Sequence, residues 1–577
     1  MSKNRYPRTR PPLLQALAVV SLAASLAAFG TGVQAQVSDV DARLAQERAA
    51  LAQLRATTAA LIEALVAQGL LPRAKADELL RQASSPPAAT AAGQWGAPPA
   101  AAETARPVQR IPFLSEATRQ EMREQVRDEV LAVVRSETRP PTVSVPGWTR
   151  RISLGGDLRL RQQSEFYDEG NLRADQYRLQ SELAASPAWA PDVLNTTEDR
   201  HRLTLRARLE LNGQINEQTS GQLRLSTGGT TSPSSASQTL GNGFNRLSVG
   251  WDRAWLRWRS DIEAPVWQLT GGRMGVPFHG TTLLWPDDLS LDGAVVEYNR
   301  LPGGRSELRW VARVGAFPLQ EFNVDSRDKW LLGLQAGFEW SPYWATSVRA
   351  SLAYYDFQRI EGVRENRLPP TGALEGTVPY LGSAYPDSIR SKGNTLINLN
   401  SPQSLARPTW GLASRFRPVN LTLAGRFLQL LPLELGVQLD LVKNLGFDAE
   451  EIERRARDPR VRLVSEKNRG FELRAHVGSA AMTEPGAWQA FVALRQFERD
   501  AWPDAFTDTT WHVGGTNYKG WAIGGTYVLD PMLRLGWRWT STRNLDDGVI
   551  APLVPTGTLS SAPFKVDVLQ VELSSRF

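Results

Sequence analysis

Cysteine is absent from all 577 residues, which excludes disulfides, thiolate metal sites and acylation of a cysteine behind a leader. The fold must be held by backbone pairing and packing. Histidine is scarce: His201, His279, His476 and His512 are the four imidazole bases of the chain, and none stands in a G-x-S-x-G or other nucleophile motif. His476 falls on the inward parity of its strand and reads as a lining residue, so an enzyme is not expected. Past the N-terminus no stretch offers the roughly 18 apolar residues that a membrane helix needs. A hydrophobic content of 42% and a mean hydropathy of −0.32 resemble those of a soluble protein. The 19 Trp and 46 Gly suit a sheet with aromatic girdles and tight turns instead. A net charge of +6 invites nucleic acid as a partner, but the arginines are scattered among apolar residues, which argues against it.

The one long apolar run lies at the start. Lys3, Arg5, Arg8 and Arg10 precede Leu13 to Phe29, and Val33, Gln34 and Ala35 end in a small residue; this predicts a secretory signal peptide over 1–35. From 36 to 83, Val37, Val40, Leu44, Leu51, Leu54, Leu61 and Leu65 lie near heptad spacing. That predicts a helical segment able to form a coiled coil or to pack on its own hairpin partner. An Ala- and Pro-rich linker over 84–110 follows, then a helix and connector over 111–147, its helix stopped by Pro140 and Pro141.

From about residue 148 to the last residue the pattern has period two. Ile152, Leu154, Leu158 and Leu160 alternate with Asp157, Arg159 and Arg161; Leu203, Leu205, Ala207, Leu209 and Leu211 alternate with Arg202, Arg206, Arg208 and Glu210. Leu433 to Leu441 alternate with Glu434, Gln438 and Asp440, and Leu533, Leu535, Trp537 and Trp539 with Arg534 and Arg538. Successive side chains of a strand face opposite ways, so each segment has an apolar and a charged face. About ten residues is the length that crosses a bilayer as a tilted strand, and about sixteen such segments can be marked out. Long connections (168–198, 228–245, 359–408) alternate with short ones (216–220, 260–265, 529–531). The expected fold is an all-β transmembrane antiparallel barrel of about sixteen strands, preceded by a helical periplasmic segment.

By parity the pore lining is Arg159, Arg161, Arg202, Arg206, Arg208, Glu210, Arg224, Arg257, Arg474, Arg534, Arg538 and Asp440, with Arg349, Arg495, Arg576, Asp157, Asp292, Glu297, Glu434, Glu472 and Glu572 on the same face. Many of these should pair across strands, and the basic surplus points to a mild anion preference. Two acidic clusters, Asp287 with Asp288 and Asp292, and Asp500 with Asp504 and Asp508, do not fit a twelve-residue calcium loop and read as solvated; no metal or cofactor is expected. Of the long connections, 359–408 and 168–198 have the length to fold inward.

The last strand ends Leu569, Val571, Leu573 and Phe577 on one face. It resembles the signal read by the barrel assembly machinery of bacterial outer membranes, with Ser575 where an apolar residue is usual. The segments LIEALVAQGLLPRAKADELL, IPFLSEATRQEMREQVRDEVL, PGWTRRISLGGDLRLR, TLGNGFNRLSVGWDRAWLRW and GGRMGVPFHGTTLLWPDDLSLDGAVVEY are similar to the Putative porin family of Gram-negative outer membranes. Val276 and the long linker depart from its pattern. The resemblance implies a diffusion pore for small hydrophilic solutes set in outer-membrane lipid, with no catalytic residues to carry over. Compatible readings are a homotrimer, a substrate-specific channel, or a structural protein whose head tethers the membrane to the cell wall or a partner. An energy-coupled transporter would need a globular plug that this head does not provide.

Overall fold

The period-two pattern closes on itself in the computed structural model, which describes residues 149, 151–177, 188, 190–228, 233–261, 265–300, 308–321, 328–343, 346–364, 382–400, 407–430, 433–457, 465–546 and 563–577. The expected leader, helical segment, linker and connector up to residue 147 lie outside the described residues. In chain order the strands begin β1 (Ile152–Tyr167), β2 (Arg200–Gln214), β3 (Thr219–Thr227), β4 (Gln238–Thr239), β5 (Val249–Arg259), β6 (Trp267–Gly275), β7 (Ser290–Arg300), β8 (Leu308–Gln320), β9 (Lys329–Tyr343) and β10 (Thr346–Gln358). They continue as β11 (Leu396–Asn398), β12 (Trp410–Leu412), β13 (Pro418–Leu430), β14 (Leu433–Asn444), β15 (Arg469–Ser479), β16 (Trp488–Phe497), β17 (Tyr518–Asp530), β18 (Leu533–Asn544) and β19 (Lys565–Arg576). β4 is a two-residue spur on β2, and β11 pairs with β12 and bridges Ala188, apart from the barrel sheet. The remaining sixteen form a closed antiparallel barrel in which β1 pairs with both β2 and β19.

Among the described residues no helix is long and apolar enough to cross a membrane; the crossing elements are the strands. Their outer face is apolar and exposed, as at Leu154 (66%), Leu256 (59%) and Leu352 (56%). Such a surface would aggregate in water and is stable only against lipid. Two aromatic rows border it. Trp258, Trp267, Trp310, Trp340, Trp488 and Tyr527 lie toward the short turns, and Trp251, Tyr354, Phe471, Trp521 and Trp539 toward the long loops. The short turns and both ends of the barrel share one rim, the rim that faces the periplasm in barrels of bacterial outer membranes. Inside, opposed charges pair across strands: Arg161 with Glu572 at 2.7 Å, Arg202 with Glu165 at 2.7 Å, Arg313 with Glu297 at 2.5 Å and Arg349 with Glu339 at 3.3 Å.

The seam depends on one glycine. Phe577 donates its backbone N–H to the Gly156 carbonyl (3.1 Å) and accepts from Gly156 N–H (2.9 Å). Its ring lies on the space where a Cβ at Gly156 would be, 2.7 Å from that position, with the Arg208 carbonyl 2.6 Å away on the other side. Leu569, Val571 and Leu573 continue the same outward face. Gly156→Val is therefore expected to cost about 1–3 kcal/mol by overpacking the seam. The check is the temperature at which the folded, fast-migrating band is lost on a detergent gel. It should fall, and an unchanged temperature would contradict this account of closure.

Candidate functional site

The connection between β6 and β7, residues 276–289, folds into the barrel. Its sequence, VPFHGTTLLWPDDL, is too apolar for a solvated loop. Phe278 packs edge-on against Phe317 and Tyr355, and its ring occupies the space that Gly333 leaves on β9. Leu283 and Leu284 are fully buried. Trp285 Nε1 donates to the Tyr355 hydroxyl at 3.3 Å and its ring meets Trp502 at 4.8 Å. Polar anchors complete the attachment. Gln335 accepts from His279 N–H (2.8 Å) and donates to its carbonyl (2.7 Å), while Asp440 accepts from both the N–H (3.0 Å) and the hydroxyl (2.8 Å) of Thr281. Arg495, paired with Glu472, reaches Thr282 Oγ1 at 2.8 Å. Burial, with Arg349 and Arg313 nearby, pushes the His279 imidazole down to about 3, so it stays neutral beside the Ser351 hydroxyl.

This anchoring sets the loop against β9, β10, β14 and β16 and presents Asp287 and Asp288 to the arginines of β1 and β2. Arg206 donates to Asp288 at 2.7 Å and to Asp157 at 3.0 Å. Arg208 donates to Asp157 at 2.5 Å with Asp288 at 3.4 Å, and Arg159 to Ser237 at 2.8 Å with Asp288 at 3.8 Å. Burial alone would raise the Asp288 carboxyl, but Arg206 and Arg159 outweigh it and hold it below the ordinary range. Asp287 has no such partner. It is open to water yet walled by protein, and that desolvation, followed by Asp508 and Asp288, pushes its carboxyl up.

The other expected lining residues fall on the inward face with varied surroundings. Arg224 is bound to Asp252 at 2.6 Å, and Glu210 accepts from Gln222 at 3.4 Å. Arg257 donates to Thr270 and lies over Trp255; Arg474 lies over the Phe491 ring at 3.7 Å. Arg534 donates to the Met482 carbonyl, and Arg538 to Thr540 and Thr510 beside Trp511. Two expectations are corrected. Asp440 is fully buried as an anchor of the loop and does not line the lumen. Asp292 faces outward, paired with Arg273 at 2.7 Å, because its neighbour Leu291 turns inward onto the apolar filling.

Two further connections help to fill the outer half. Asp500 accepts from Thr395 N–H (2.9 Å) and Oγ1 (2.6 Å), and Asn394 donates to the carbonyls of Arg499 (2.6 Å) and Trp502 (2.9 Å). Asp504 is bound by the Tyr385 hydroxyl, and Lys392 donates to the His512 and Gly514 carbonyls. The second acidic cluster is thus a set of buried anchors, not a solvated one. Of the two connections expected to turn inward, the one after β10 contributes Tyr385, Leu396 and Trp410 to the apolar filling and the one after β1 contributes Ala188. Sequence reading missed Asp252, Arg253, Trp255 and the inward course of 276–289, and it read Asp288 as solvated where that side chain is paired with Arg206 and Arg208. The density of Phe, Leu and Trp in 276–289 was the available signal.

No curated protein matches the chain in sequence. Solved structures similar to it include OprB of Pseudomonas putida (10% identity, 74% of this chain and 94% of that chain, TM-score 0.39). Another is the outer membrane channel DcaP of Acinetobacter baumannii (10% identity, 74% and 97%, TM-score 0.38). The model of the family described as Putative porin matches residues 55–577. With that match over most of its length, the chain belongs to the Putative porin family and is an outer-membrane channel, not an enzyme.

Proposed function

We propose that the channel passes small hydrophilic solutes by passive diffusion with a mild preference for anions. The carrying observation is the set of inward arginines that make no ion pair among the described residues. Arg253 meets only Ser290 at 3.5 Å, and Arg474, Arg534 and Arg538 meet rings, hydroxyls or a carbonyl. Guanidinium stays charged at any relevant pH, and a narrow passage with low-dielectric walls strengthens the field of whatever is left uncompensated. Against these stand Asp287 and Glu210 as open carboxylates. Lining roles are proposed, from their inward orientation, for Arg159, Arg161, Arg202, Arg206, Arg208, Glu210, Arg257, Arg474, Arg534 and Arg538; Arg224, buried and paired with Asp252, is proposed as a support of the wall behind them. The test is the sign of the reversal potential of single channels under a salt gradient.

Asp287 adds a pH dependence. Its carboxyl lies above the ordinary range, so as the pH falls it takes up a proton earlier than a free aspartate would, and the passage loses a negative charge. Anion preference is expected to rise as the pH is lowered, over a range above that in which a free aspartate titrates. Asp287→Asn should show the acid-side preference already at neutral pH and no step; a step of the same size in that variant would contradict the assignment.

The segment at 36–83 is proposed to stand in the periplasm, where its heptad-like stripe suits a homotrimer. Leu569, Val571, Leu573 and Phe577 are proposed as the face read by the barrel assembly machinery, a role supported by their shared outward orientation.

A further inference from the structure

The outer surface carries an unbalanced row of cations along one arc of the extracellular rim. Lys443 on β14 is directly opposite Arg469 on β15, and Lys519 on β17 is directly opposite Arg543 on β18, which in turn faces Lys565 on β19. All five share the lipid-facing parity of their strands. Lys565 has a carboxylate partner, Asp168, at 3.1 Å. No ion pair forms at the other four among the described residues; Glu498 beside Arg469 is engaged by that residue's backbone N–H at 2.8 Å. Like charges placed directly opposite one another weaken a sheet. That arrangement occurs twice on this arc, at β14/β15 and at β17/β18 on either side of β16, and an anion from outside the chain would relieve both.

The height of the row identifies the anion. Arg469 lies two residues beyond the exposed Phe471, and Lys519 two beyond the exposed Trp521. Two residues of strand are about 7 Å, which places the charges one step outside the aromatic girdle, at the level of lipid headgroups. We propose that this arc binds the phosphate groups of the phosphorylated glycolipid of the outer leaflet, its acyl chains lying on the apolar face below. A phosphate carried on lipid matches both features at once: the charge above and the apolar surface beneath. Free phosphate matches only the first.

The test uses the full-length protein in detergent, with binding read by native mass spectrometry and fold by heat-modifiable migration. The probes are bisphosphorylated lipid A, dephosphorylated lipid A and inorganic phosphate. Bisphosphorylated lipid A is expected to bind, and the variant Lys443→Gln, Arg469→Gln, Lys519→Gln, Arg543→Gln to bind it at least about tenfold more weakly with unchanged migration and conductance. Lys443→Arg with Lys519→Arg should bind as the native chain does. If the fourfold variant does not fold, Lys443→Gln with Arg543→Gln, one from each opposed pair, takes its place and should show about threefold weakening. Equal binding of dephosphorylated lipid A, equal binding by the variant that folds, or displacement by millimolar inorganic phosphate would each overturn the proposal.

Discussion

Replacing Arg206 and Arg208 together with alanine is expected to turn the channel toward cations. The two guanidiniums are the chief partners of Asp157 and Asp288, at 2.5 to 3.4 Å. Without them two carboxylates face the passage with only Arg159, 3.8 Å from Asp288, near enough to offset either. A unit charge acts on a passing ion with an energy on the order of 1 kcal/mol at 4 Å in water. Screening at ordinary salt trims that, since the Debye length is about 10 Å at 0.1 M. Two lost charges then move the cation-to-anion permeability ratio by about tenfold. The charge-keeping pair Arg206→Lys and Arg208→Lys should leave selectivity near the native value, because the field depends on charge and not on the fork geometry. Native selectivity in the alanine variant would mean that ions do not pass close to these side chains.

Phe278→Ala should release the inward loop. The ring is the apolar wedge between β9 and the filling of the outer half, in contact with Phe317, Trp285 and Tyr355. Truncating a buried Phe costs about 3–5 kcal/mol. That loss falls on a segment otherwise held by its bonds to Gln335, Asp440 and Arg495, the Asp288 ion pairs and the Leu283, Leu284 and Trp285 packing. The barrel ladder is independent of the loop, so the folded band on a detergent gel should persist. Conductance should become larger or should flicker between levels, and Asp440→Ala, which removes both bonds to Thr281, should add to the effect. A variant with native, steady conductance would show that the loop is held elsewhere.

Much of the barrel could be read directly. Wherever the outer face meets lipid and the inner face meets water, as at Leu203 to Leu211 against Arg202 to Glu210, polarity reports orientation and strands declare themselves. The alternation of short turns with long loops was equally plain. The reading failed where the inside of the barrel is apolar. Leu291, Val295, Tyr355 and Met274 turn inward onto buried loop side chains, and there the rule that charge points inward misplaced Asp292. Asp440 was placed on the right face but given the wrong task, because its partner Thr281 is 159 residues away. The inward loop is shorter than the connections after β1 and β10 and does not stand out by length. Length says which segments can reach the lumen, whereas the apolar content of 276–289 says which one must leave water.

The most direct measurement of the central claim is the reversal potential of the purified full-length protein in planar bilayers under a salt gradient. The surplus of inward arginines predicts steady single-channel conductance with a modestly anion-selective potential. A cation-selective potential would contradict the charge argument, and the absence of conductance in a barrel shown to be folded would contradict the channel itself.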